Sequence, residues 1–170
     1  MKIMGIDAST TAIGYSVFDN GVLIASGCLR PNKNEKEWRG RIQELSILLN
    51  EKIALYSPDR LYAEDVPLKK GSSTIQKLAT MQGVILALCT FHKVEVCFLL
   101  PSNWRGSLGI FDGTREGTHR EILKKKAVEM ANSLFNKNLL WVSENSKKNE
   151  DDEAEGILIA YSQIKTKRGD

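Results

Sequence analysis

Carboxylates recur in this chain at places where a charge is expensive. Asp7 ends a short apolar run, Ile3-Met4-Gly5-Ile6. Turn-type residues bound that run, so it reads as a buried strand with Asp7 at its carboxyl end. A carboxylate there is costly unless a donor or a cation compensates it. One compensation is local, with Asp7 capping the next turn through Ser9 and Thr10. A second acid, Glu64, lies near the carboxyl end of another strand pattern, RLYAEDV at 60–66, which Pro67 closes. The cluster Asp151-Asp152-Glu153-Ala154-Glu155 opens a late helix. Residues three or four apart share a helix face, so Asp152 pairs with Glu155, or Asp151 with Glu155. Acids in a first turn suit the helix dipole. That does not explain Glu155, which is inside the helix and followed at once by the apolar run Ile157-Leu158-Ile159-Ala160.

Four carboxylates meeting without cations repel, and some stay protonated. Two hard divalent ions would neutralise them. An all-acid set without histidine suits Mg²⁺, which favours a few carboxylates plus water and phosphate oxygens. Two such ions ~4 Å apart stabilise both the attacking and the leaving oxygen in phosphodiester hydrolysis.

The elements that must bring these acids together follow from pattern. Residues 2–7, 12–18 and 22–28 read as strands, and Asn20-Gly21 is a hairpin turn between the second and third. Residues 35–56 turn helical, with Trp38, Ile42, Leu45, Leu49 and Ile53 at steps of three and four. Ser57-Pro58-Asp59 stops them. The fourth strand, 60–66, is followed by a basic loop around Lys69 and Lys70. Helical pattern returns over 74–91, and 94–100 is a fifth strand, apolar enough to be covered on both faces. Residues 101–118 are rich in Gly and Ser and show no periodicity, which predicts a long mobile connection. Two more helices are expected, over 119–135 and from about 151 to 167.

The order is therefore an α/β chain, βββαβαβ and then two helices. Right-handed crossovers place the first and fourth strands side by side and parallel, giving the strand order 3-2-1-4-5. Asp7 and Glu64 then face each other where the chain leaves the first strand in both directions, the usual ligand position in open α/β sheets.

Composition bounds the class. The 170 residues suit one domain, 1–170. Apolar residues are 42% and charged residues 26%, an ordinary globular balance. No stretch is seen to approach the ~20 apolar residues of a membrane span, and no signal peptide precedes the first strand. Cys28, Cys89 and Cys97 are scattered and odd in number, which reads as buried thiols in a reducing cytoplasm. His92 and His119 are too few and too far apart for a metal cage. Net charge is +3, with Lys and Arg grouped around the acidic focus, as suits a polyanion held over a metal site.

The motifs GIDASTTAIGYSV, YAEDV with STIQKLATMQGVILAL, LPSNWRGSLG and DDEAEGILIAYS resemble those of the RuvC Holliday junction resolvases, in the RNase H-like superfamily. The resemblance spans most of the chain. It implies an RNase H-like five-stranded mixed sheet flanked by helices, and a crossover junction endodeoxyribonuclease that works as a homodimer. Carried over, the family's four acids fall on Asp7, Glu64, Asp152 and Glu155, with two Mg²⁺ (Mn²⁺ substituting) per site. Two features depart from the pattern. Glu155 stands where the family usually has Asp. Pro67-Leu68 stands where an aromatic is common, which extends the expected substrates to forks, flaps and three-way junctions. The chain's compactness and this divergence look similar to phage-encoded versions, which would place the enzyme in the cytoplasm of a bacterial host.

Lys69, Lys70, Lys77, Arg105, Arg115, Arg120, Lys124, Lys125 and Lys126 are candidate phosphate contacts. Trp104 and Phe111 are candidates for stacking on unpaired bases, with core or dimer packing as the alternative. Two rival functions fit parts of the pattern. The first hairpin also resembles the phosphate-binding hairpin of sugar kinases and actin-like ATPases, but those need two such domains. A non-catalytic branched-DNA binder has no use for four anions facing phosphates.

Overall fold

A computed structural model describes residues 1–66, 71–111, 113–114, 119–144 and 146–167. Lys69, Lys70, Arg115 and the Pro67-Leu68 departure lie outside the described residues. Ten elements follow one another: β1 (Lys2–Ala8), β2 (Ile13–Asp19), β3 (Val22–Leu29), α1 (Trp38–Tyr56), β4 (Arg60–Glu64), α2 (Ser72–His92), β5 (Glu95–Leu99), α3 (Pro101–Ser107), α4 (Arg120–Phe135) and α5 (Asp151–Lys167). The sheet order is β3-β2-β1-β4-β5, as the sequence predicts. β1 pairs antiparallel with β2 and parallel with β4. Asn20 and Gly21 both take positive φ, 48° and 83°, the type I′ geometry that matches strand twist.

Alternation along the strands divides the core in two. Met4, Ile6, Leu61 and Ala63 point to one face, under Ile42, Leu45, Leu49 and Ile53 of α1 and Met81, Ile85 and Cys89 of α2. Ile3, Phe18 and Tyr62 point to the other, under Trp104 of α3, Val128 and Ala131 of α4, and the 157–160 run of α5. Asp7 shares the period of Ile3, and Glu64 that of Tyr62, so both carboxylates belong to the second face.

Three expectations need correction. α1 starts at Trp38 because the Glu35 carboxylate accepts from the backbone N–H of Glu37 at 2.8 Å and holds the preceding residues in a turn. Residues 101–107, expected to be a mobile connection, form helix α3. Pro101 sits in its first turn, where proline's fixed φ favours a helix start, and Trp104 and Leu108 bury one side at a spacing of four. Seven residues are too few for periodicity to show in the sequence. Finally, α2 is long and apolar enough to cross a membrane by length and composition alone. It packs against α1 and β5 through its buried residues and leaves Leu86 and Phe91 exposed.

Candidate active site

Asp7 sits one residue from the end of β1, paired across the hairpin with Gly14. The turn that follows is bonded without it. Ser9 Oγ accepts from the N–H groups of Thr11 and Ala12 at 3.2 and 3.1 Å, and Ser9 N–H reaches the Ala12 carbonyl at 2.9 Å. The local alternative for Asp7 thus falls to Ser9. Among the described residues, no hydrogen bond or ion pair meets the Asp7 carboxylate. Burial raises its pKa well above the ordinary range, and repulsion from Glu155, Glu64 and Asp152 raises it further.

Glu64 ends β4. Its Oε2 accepts from the Trp104 indole at 2.9 Å and faces the Arg105 guanidinium at 3.1 Å, both from α3. Burial raises its pKa; Arg105 opposes that shift, and Glu155 adds to it. The third contribution is the N-terminal part of α5. Glu155, 2% exposed, accepts from Arg105 at 2.6 Å and lies 3.8 Å from the Lys124 ammonium of α4. Asp152 is more open and lies 3.6 Å from Lys124 and 3.9 Å from Arg30. Burial raises its pKa too, against the pull of Lys124. Asp151 is buried and paired directly with Lys124. Glu153 points away, to Ser26 at 2.7 Å and Lys137 at 3.3 Å. Burial alone would lower the pKa values of Lys124 and Arg105; the surrounding acids more than reverse it, so both stay charged.

Glycines set how close α5 can come. A β-carbon at Gly14 would overlap the Asp152 carbonyl, and one at Gly156 would lie 2.8 Å from the Gly14 backbone. Ser16 Oγ donates to the Gly156 carbonyl at 2.8 Å in the buried contact below. Backbone-to-backbone packing of α5 on β2 is what carries Asp152 and Glu155 to the end of β1.

Asp7, Glu64, Asp152 and Glu155 line one cleft of about 730 Å³ over the carboxyl ends of β1 and β4. Acids far apart in the chain meet there, in the low-dielectric setting that the sequence implies. Their oxygen-only chemistry and the unbonded Asp7 fit hard divalent cations. Among the described residues no three such side chains enclose a single point, because Arg105 and Lys124 lie between them.

The candidate DNA contacts scatter. Arg105 and Lys124 are inside the acid cluster. Arg120 is on the cleft rim, Lys77 lies on α2, and Lys125 is exposed, 3.9 Å from Glu129. Lys126 of α4 is half-buried and lines a separate groove with Leu108 and Tyr161. Trp104 is fully buried and so belongs to the core; Phe111 is half-buried. Arg30, Trp141 and Lys147 also line the cleft and were missed. The available signal for Trp141 was a lone aromatic ten residues before the acids.

Comparison with known proteins agrees with this arrangement. The family model described as "Crossover junction endodeoxyribonuclease RuvC" matches residues 3–114. Curated relatives of that same name include one from Dictyoglomus thermophilum, 26% identical over 84% of this chain and 95% of the relative. Another, from Brachyspira hyodysenteriae, is 23% identical over 99% and 96%. Among solved structures, T. thermophilus RuvC in complex with Holliday junction substrate superposes with a TM-score of 0.71 at 15% identity, covering 99% of this chain and 96% of that one. Fowlpox virus resolvase with Holliday junction DNA gives 0.63 at 16%, covering 98% of each. A fold shared end to end with these structures, and a family match over most of the chain, lead to one assignment: the chain belongs to the RuvC family of crossover junction endodeoxyribonucleases.

Proposed function

We propose that this RuvC-family nuclease cuts Holliday junctions, and also forks, flaps and three-way junctions, using two Mg²⁺ ions held by Asp7, Glu64, Asp152 and Glu155. The observation that carries the reading is the convergence of these four carboxylates in one cleft, with Asp7 left without a donor among the described residues. When bound, the two cations supply activation of water and neutralisation of the departing 3′ oxygen, with Mn²⁺ able to substitute. The chain's own residues do the rest. Gly14 and Gly156 hold the N-terminal part of α5 against β2 and so fix two of the four acids. The Trp104 indole orients Glu64. Arg105 and Lys124 offset the acids' charge and face the cleft that would hold the phosphate. Filling the site with cations requires both to give way from the carboxylates they now bridge. Asp152 is preferred to Asp151 as third ligand, because Lys124 already engages Asp151 in a buried pair.

One acid cluster makes one cut, and resolving a four-way junction takes two, so the working unit is a homodimer. Arg120 and Lys77 contribute phosphate contacts for the DNA backbone, and by their sequence Lys69, Lys70 and Arg115 are further candidates. The test is a cleavage panel of four-way, three-way, forked and linear substrates with Mg²⁺, Mn²⁺ or EDTA. Metal-dependent cutting of the branched substrates alone is the expected result. Binding without cutting in every metal would leave the chain a branched-DNA binder.

A further inference from the structure

Between α4 and α5, Trp141, Glu144, Ser146, Lys147 and Asn149 form part of the wall of the cleft. Its backbone is pinned on both sides of Trp141. The Asn132 side chain accepts from Leu139 N–H at 2.8 Å and donates to the Leu139 carbonyl at 3.0 Å. Leu140 N–H donates to the Glu150 carboxylate at 2.8 Å, and Glu150 N–H donates to the Leu140 carbonyl at 2.9 Å. Buried Asn149 accepts from Val142 N–H at 2.9 Å and donates to the Ser143 carbonyl at 2.7 Å. Trp141 stands between these fixed points. One side of it packs on the core formed with α4 and α5, and it also lines the acid cleft. Among the described residues, no acceptor meets its indole N–H.

Two cations flank that wall on the same cleft, Arg120 and Lys147. Both are exposed, and neither has an ion-pair partner among the described residues. Arg105 and Lys124 differ in being engaged by the acids. An aromatic side chain that shares a cleft with two cations free of ion pairs among the described residues, beside the four acids, matches the chemistry of a nucleotide: base on indole, phosphates on the cations. Of the two stacking candidates, Trp104 and Phe111, the Trp104 ring takes the alternative role and is spent in the core.

We propose that Trp141, with Arg120 and Lys147, forms a nucleotide subsite that holds one unstacked nucleotide of the strand being cut, next to the scissile phosphate. The proposal rests on the nuclease reading above and adds to it where the strand is gripped. Paired bases inside a duplex cannot present a face to the indole, so the subsite selects for strand ends and branch points.

The test uses the full chain. Trp141→Ala and Trp141→Phe are each made alone and together with Asp7→Asn, which permits binding to be read without turnover. Melting temperatures establish that each variant folds. In the Asp7→Asn background, Trp141→Ala is expected to weaken binding of a four-way junction roughly ten-fold, with Trp141→Phe near the parent and linear duplex binding unchanged in both. Junction binding is expected to quench tryptophan fluorescence in the parent, and to do so far less in Trp141→Phe. With Asp7 intact, Trp141→Ala is expected to spread cutting over neighbouring phosphodiester bonds. Unchanged affinity and cut position in Trp141→Ala would overturn the subsite while leaving the nuclease standing. Equal impairment of Ala and Phe variants with a lowered melting temperature would overturn it as well, showing a packing role. Absence of cutting by the unmutated chain would sink the nuclease reading itself, and no Trp141 result produces that outcome.

Discussion

The two faces of the sheet are built on different terms. Under α1 and α2 the core is apolar throughout, with Leu45, Leu49, Ile53 and Leu61 fully buried and Cys89 as its softest member. Under α3, α4 and α5 an apolar floor of similar make-up ends abruptly at a group of ion-paired side chains, Glu64, Asp151 and Glu155 with Arg105 and Lys124. The first face stabilises by removing hydrocarbon from water. The second keeps charges in a setting where their solvation is poor and their mutual repulsion is large. What the contrast teaches is a division of labour: one layer holds the fold, and that leaves the other free to hold an arrangement that is unfavourable until cations arrive.

Breaking the second face has the largest effect. Asp7→Asn is expected to lower junction cleavage by at least about 10³-fold, with DNA binding retained or tighter, read by single-turnover cleavage and by mobility shift. Gly14→Ala comes next. Its methyl group must push the first turn of α5 off β2, and a displacement of about 1 Å at the acids costs on the order of 10²-fold in rate. Core truncation separates the two layers. Leu49→Ala on the first face is expected to cost about 2–5 kcal/mol in denaturant unfolding while the protein that remains folded cuts normally.

A smaller effect sharpens the comparison through pH. The folded chain holds the Asp7 proton more tightly than the unfolded chain does, so folding takes up a proton. In EDTA, the Asp7 contribution to stability is therefore fully present below the ordinary carboxylate range and is lost as pH rises through it towards the raised folded value. Asp7→Asn removes that loss and is expected to melt higher than the parent at neutral pH in EDTA, by roughly 2–4 °C for each kcal/mol relieved. The smallest effect belongs to Lys125, exposed and only loosely paired; Lys125→Ala is expected to change junction affinity less than about two-fold and the salt slope by at most about one.

Much of the second face was legible before any coordinates. An acid after a short apolar run, a second one in a parallel strand and a pair at helical spacing defined both topology and cleft, because strand period and helix period decide where Cβ atoms point. Three things were hidden for physical reasons. α3 was lost because seven residues carry no measurable periodicity. Arg105 and Lys124 looked like surface cations, since a sequence does not reveal which basic residues will face acids from other elements. The Gly14–Gly156 contact was invisible because each glycine only has meaning against the other, 142 residues away in the chain.

The most direct measurement is a Mn²⁺ titration of the parent and of Asp7→Asn, followed by electron paramagnetic resonance with junction DNA present. Two ions bound per parent chain, and at most one at comparable affinity in Asp7→Asn, is the predicted result. Equal Mn²⁺ binding by both proteins would contradict the claim that these carboxylates meet in order to share metal ions.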